Sequence, residues 1–225
     1  MLGSKSSDSA RRLQSERSAI HLGHLFPPIK MTTKAEERRQ RIIDAGVQLF
    51  ARHGVKSTRL ADIATRSRLA KATLYYYFPE GKQTIFSAAI ERVVTKIYDE
   101  FALEVLVSDD PLEQLRAYTH GRVRIFDDEL QERGVTPAVW EELKPMADRV
   151  LDPFFAKEFE LVRGIFARGV EAGLFRGVNP ATAATLLTIT LRGLTADGPF
   201  PESPEQRMRE VNLLFEVITR GLLLR

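Results

Sequence analysis

The segment KATLYYYF, residues 71–78, sorts its side chains into two sets. At helical spacing Leu74, Tyr77 and Phe78 point one way, while Lys71, Ala72, Thr73, Tyr75 and Tyr76 point the other. The outward set has the chemistry of a nucleic-acid reader. Lys71 and Thr73 can meet phosphate oxygens or base edges, and Tyr75 and Tyr76 can donate to phosphates or pack on a thymine methyl. Thr58 offers a phosphate contact, and Arg59 can reach either phosphate or base. Aromatic content alone would also allow a strand over 75–78.

Such a set reads DNA only if it is held rigidly. Upstream, Thr58 is positioned as an N-cap, and Leu60, Ile63 and Ala64 recur at helical spacing over about two turns. Leu69 lies in the connection, where an apolar residue can fill the angle between two helices. Together the pair reads as a helix-turn-helix whose second helix enters a major groove. A longer helix precedes it from Thr33 to His53, with Ile42, Ile43, Val47, Leu49 and Phe50 on one face. Thr33 and Glu36 form a capping box and Gly54 ends the helix. The N-terminal amides of this helix, with Thr33 and Lys34, can meet a further phosphate.

Charge supports this reading. Residues 1–90 hold 16 Lys and Arg against 7 Asp and Glu, and residues 91–225 hold 17 against 23. A basic segment carrying the motif joined to an acidic remainder is the footprint of a phosphate-binding head on a different body.

After the turn Pro79-Glu80-Gly81, a helix is expected over 82–105, with Ile85, Phe86, Ala89, Val93, Ile97 and Phe101 inward. Further starts are marked by Asp110-Pro111, Thr136-Pro137, Pro153 and Asn179-Pro180, because these residues suit a helix N-terminus. Pro145 should kink or break its helix, and Gly173 should close the one opened by Pro153. The helix ending near Leu194 is so apolar that it must be covered on nearly all sides. In the last, about 204–224, Met208, Val211, Phe215, Ile218 and Leu222 form a heptad seam that wants a partner helix.

Several classes are excluded. With no Cys among 225 residues there is no disulfide scaffold or thiolate chemistry. No run approaches the roughly 18 apolar residues of a membrane span, and the expected location is the cytoplasm. Residues 1–30, rich in Ser and Arg, are expected to be disordered. His21-x-x-His24 lacks a nearby partner ligand, so no metal and no cofactor is expected. With neither a phosphate loop nor a nucleophile elbow, the chain does not read as an enzyme.

TLYYYF followed by Pro-Glu-Gly-Lys resembles the recognition-helix signature of the tetracycline-repressor (TetR) family. The same register holds upstream for Leu49, Phe50, Ala51, Gly54, Thr58, Ile63 and Ala64, over about fifty residues. The chain departs from the family pattern at three places. Arg68 stands where Gly usually supplies positive φ, Ala70 where Ser caps the reading helix, and Ala61 where a polar residue often reaches a base.

The resemblance implies an all-α homodimer, with residues 1–30 a tail, 31–85 the DNA-binding domain and 86–225 the effector-binding and dimerisation domain. Lys82 would then clamp a phosphate. An effector pocket for a small apolar or amphipathic molecule would involve Phe101, Tyr118, Arg122, Phe126, Trp140, Phe155 and Phe159. The last two helices would form the dimer interface through Leu187, Leu191, Met208, Val211, Phe215, Ile218 and Leu222. The implied function is a transcription regulator, with repressor the preferred reading and activator left open. It would bind a palindromic operator in double-stranded DNA and be released by its effector. The alternative is a DNA-bound interaction protein of the same fold with no small-molecule response.

Overall fold

A computed structural model describes residues 33–195 and 204–223; the expected tail over 1–30, with His21 and His24, lies outside them. The chain divides into two compact units, Met1–Arg38 and Arg39–Arg225. The described residues form nine helices: α1 Lys34–Ser57, α2 Leu60–Ser67, α3 Lys71–Tyr77, α4 Lys82–Val105, α5 Pro111–Glu132, α6 Pro137–Ala147, α7 Asp152–Glu171, α8 Pro180–Thr195 and α9 Pro204–Leu222. Their only extended pairing is one bridge, Phe175 with Leu223. The fold is all-α, and the segment 75–78 is not a strand.

In the first unit the Glu36 amide donates to Thr33 Oγ1 at 3.2 Å, which caps the start of α1. In the second, the buried stripe of α1 meets Ile63, Ala64, Leu74, Phe78, Ile85 and Phe86 in one cluster. A second cluster joins Ile97, Phe101 and Val105 of α4 to α5, α7, α8 and α9. The helix α4 is continuous through both.

Helix starts follow local chemistry. The Asp110 side chain accepts from the Leu112 amide at 2.8 Å, Thr136 from Val139 at 3.4 Å and Asn179 from Thr182 at 3.0 Å. Pro145 lies inside α6, which ends two residues later. Gly54 does not end α1 but interrupts it, with φ 74° and ψ 171°, and a last turn follows to Ser57.

That interruption corrects the capping of α2. Thr58 is buried, and its hydroxyl donates to the Gly54 carbonyl at 2.7 Å, an acceptor left over where α1 breaks. Arg59 takes the N-cap position instead, its amide donating to Asp62 Oδ2 at 2.9 Å.

The seam expected at the chain's end is also corrected. Leu187, Leu191, Val211, Phe215 and Leu222 lie inside the chain's own core. Met208 and Ile218 are half-buried against it. The outward apolar set is Leu186, Ile189, Leu213 and Val217, each at least 59% exposed. Helix α8 is therefore covered on one side only.

Candidate functional site

The helix pair α2–α3 sets the first candidate site. Arg68 closes α2 in the left-handed conformation, φ 55° and ψ 44°, with its amide bonded back to Thr65 O at 3.1 Å and the next amide to Ala64 O at 3.0 Å. That turn redirects the chain into α3. Ala70 holds the extended N-cap conformation of α3 but has no side chain to cap it. Leu74 and Phe78 anchor α3 in the first cluster, with Arg39 stacked on the Phe78 ring at 5.2 Å.

The opposite face of α3 stands in solvent. Tyr76 is 79% and Tyr75 46% exposed, Lys71 and Ala72 are exposed, and Thr73 is half-buried. Tyr76 packs edge-on against Tyr77, at 5.0 Å between ring centres, which limits its freedom without covering it. Arg59 is exposed at the start of α2, whereas the Thr58 hydroxyl is turned inward and committed. Thr33 and Lys34 are exposed where α1 begins. Lys82 reaches back across the unit: its ammonium donates to Thr58 O at 3.0 Å and Lys56 O at 3.4 Å. It thereby fastens the α1–α2 connection, a positioning role that residue type alone did not reveal.

A second candidate site is a cavity of about 240 Å³ among α4, α5, α6, α7 and α8. Four residues named from the sequence line it: Arg122, Phe126, Trp140 and Phe155. Three do not. Phe101 and Tyr118 lie fully buried behind it, ring against ring at 5.8 Å, and Phe159 packs into the body cluster elsewhere on α7. At the cavity floor Arg122 Nε donates to Glu158 Oε1 at 2.8 Å, and the Tyr118 hydroxyl donates to the same oxygen at 2.9 Å. Burial, and then the Glu158 charge, push the Tyr118 phenol well above its ordinary range, so it stays a donor.

Sequence reading missed Arg192, whose guanidinium lies 3.5 Å over the Phe155 ring and 3.9 Å from Glu158. A signal was present, because Arg192 is the one charged residue in PATAATLLTITLRGLT. A wider cleft of about 940 Å³ runs along α4, but it is open and lined largely by charged side chains such as Arg39, Asp44, Lys96 and Lys157. Charged walls hold water against a small apolar ligand, so the smaller cavity, lined mainly by apolar side chains, is the better candidate.

One helix touches both candidate sites. Leu143 of α6 is buried in the head cluster, with Val139 and Met146 against it, while Trp140, Lys144 and Ala147 face the cavity. Glu142 Oε1 accepts the Lys56 amide at 2.7 Å, at the same connection that Lys82 fastens. Movement of α6 by a cavity ligand would therefore reach the base of the helix pair directly.

Comparison with known proteins agrees with this geometry. Residues 42–89 match the profile of bacterial regulatory proteins of the tetR family. The chain is 23% identical to the uncharacterised HTH-type transcriptional regulator YxaF of Bacillus subtilis over 170 residues, 72% of this chain and 85% of that protein. It is 33% identical to the HTH-type transcriptional regulator AcrR of Shigella flexneri over 88 residues, 39% of this chain and 40% of that one. A TetR-family regulator from Mesorhizobium loti superposes with a TM-score of 0.68 at 18% identity, covering 86% of this chain and all of the other. No described helix is long and apolar enough to cross a membrane.

Proposed function

The chain belongs to the tetR family of bacterial regulatory proteins, and on that premise we propose that this transcriptional regulator is a dimeric repressor released from its operator by a small molecule. Residues 31–85 are the reading head, and residues 86–225 bind the effector and the second subunit. The single observation that carries the DNA-reading half is the exposed face of α3, with Lys71, Ala72, Tyr75 and Tyr76 in solvent on a helix whose other side is anchored by Leu74 and Phe78. Two α3 helices related by a dyad would meet a palindrome, with half-sites about 34–36 Å apart.

Release follows from α6. An effector that fills the cavity pushes on Trp140, and the Leu143 and Glu142 contacts carry the displacement to the head. Effector and DNA need differ in preferred head position by only ~1–3 kcal/mol. The apolar-lined cavity is the reason to prefer this reading over a DNA-bound interaction protein with no effector.

The test is anisotropy titration of a duplex enriched from random DNA, at several salt concentrations, with the native chain and Lys71→Ala. A phosphate contact at Lys71 predicts weaker binding on all sequences and a salt slope reduced by about one ion. Equal affinity and equal slope would remove α3 from the interface.

A further inference from the structure

We propose that the cavity selects an organic monoanion, a small apolar or aromatic body with a single carboxylate-like head held between Arg122 and Arg192. This rests on the reading of the cavity as the effector site and names the chemistry it accepts. The floor carries two guanidinium groups and one carboxylate, Glu158, which is fully buried. One positive charge is therefore uncompensated there, with Lys144 and Asp148 opposing each other among the remaining lining residues.

Buried polar atoms without partners mark the place for the head group. Arg122 is only 4% exposed, and its Nε is used by Glu158 Oε1, yet its Nη1 is buried with no partner among the described residues. Arg192 Nε and Glu158 Oε2 are likewise buried and unsatisfied, 3.9 Å apart, too far for a hydrogen bond. A native interior rarely leaves guanidinium donors unmade, because each lost bond to a charged group is costly. The Arg192 guanidinium carbon lies 3.5 Å over the Phe155 ring centre, a cation–π contact that positions it while leaving Nε for a head group.

A monoanion fits better than a phosphate ester. The other lining groups near the floor are Phe126, Trp140, Phe154 and Phe155. They would leave most of a dianion's acceptors unmatched. At about 240 Å³ the cavity lies below the roughly 300–1,000 Å³ of drug-sized sites, so the body is one or two rings.

The chain's only Trp lies in the cavity wall and reports occupancy. The probes are 3-phenylpropionate and 3-phenylpropanol, which share a body and differ in charge, titrated against full-length protein while Trp140 emission is followed. The acid should bind about tenfold or more tighter than the alcohol. Arg192→Met, which removes one guanidinium from the floor, should erase that preference. Glu158→Gln, which removes the competing carboxylate, should widen the preference. Equal binding of acid and alcohol by the native chain would overturn the anion assignment and leave the cavity as the effector site. Binding of neither probe at millimolar concentration would overturn both. A preference that survives Arg192→Met would overturn the assignment of the head group.

Discussion

Breaking the Arg122–Glu158 pair should be among the costliest single changes in the body. Arg122→Met leaves Glu158, which has no solvent exposure, with the Tyr118 hydroxyl at 2.9 Å and the Arg192 guanidinium at 3.9 Å. Removing one member of a buried pair typically costs about 3–5 kcal/mol, because the other charge remains buried. Partial replacement by Arg192 sets the expected loss near the lower end, about 3 kcal/mol. Glu158→Gln strands the Arg122 charge, although its amide oxygen still accepts from Tyr118, and should cost a similar amount. The double variant removes both charges, so it should be more stable than either single variant, with a coupling energy of about 2–3 kcal/mol. The assay is urea unfolding at neutral pH followed by far-UV circular dichroism and Trp140 fluorescence, whose coincidence checks two-state behaviour. A loss below about 1 kcal/mol for Arg122→Met, or strictly additive single effects, would mean that the two side chains are not coupled in the folded protein.

Two further outcomes are expected. Burial raises the Asp127 carboxyl to about 6 even though Arg207 lies 3.1 Å away and opposes the shift. A folded value above the unfolded one near 3.9 means that its contribution is full at low pH and is lost as pH rises through about 6. Relative to Asp127→Asn, the native chain should therefore gain of the order of 2 kcal/mol as pH falls from about 7 to 4; a pH-independent difference in unfolding free energy would exclude this. Leu213→Glu, on the exposed apolar face of α8 and α9, should shift the protein to monomer in sedimentation velocity and weaken DNA binding at fixed chain concentration. An unchanged dimer would move the interface elsewhere.

Much of the fold was legible because its signals are local. The amphipathic stripe of α1, the alternation in α3 and the Asp-Pro, Thr-Pro and Asn-Pro starts all act within one or two turns, and the observed helices begin where they fall. Arg68 and Ala70 were expected to give a left-handed turn without glycine and a helix without a cap, and both are found so. What sequence reading lost depends on tertiary context. Thr58 is a good cap by type, but the broken end of α1 supplies acceptors that draw its hydroxyl inward. Heptad spacing in α9 identifies an apolar stripe, yet spacing cannot say which of two stripes meets the chain's own α5 and which stays outside. So Val211 and Phe215 proved to be core, while Leu213 and Val217 remain exposed.

The candidate cavity was half legible for a similar reason. Arg122, Phe126, Trp140 and Phe155 line it, but reading the helix that ends near Leu194 as apolar gave no weight to Arg192, which completes the floor from α8. Aromatic type alone likewise could not separate Phe155, which faces the space, from Phe101, which fills the core behind it. The Glu142 bridge to the Lys56 amide spans 86 residues of sequence and has no local trace.

A pair of α3 helices is proposed to read DNA in a sequence-specific way. The most direct test is selection from a random duplex pool with the purified full-length chain, followed by sequencing of the bound fraction. The expected product is a palindrome whose half-sites lie about one helical turn apart, lost when Tyr76 and Lys71 are replaced by Ala. A folded dimer that enriches no sequence at low salt, or a single unpaired half-site, would contradict reading by the pair.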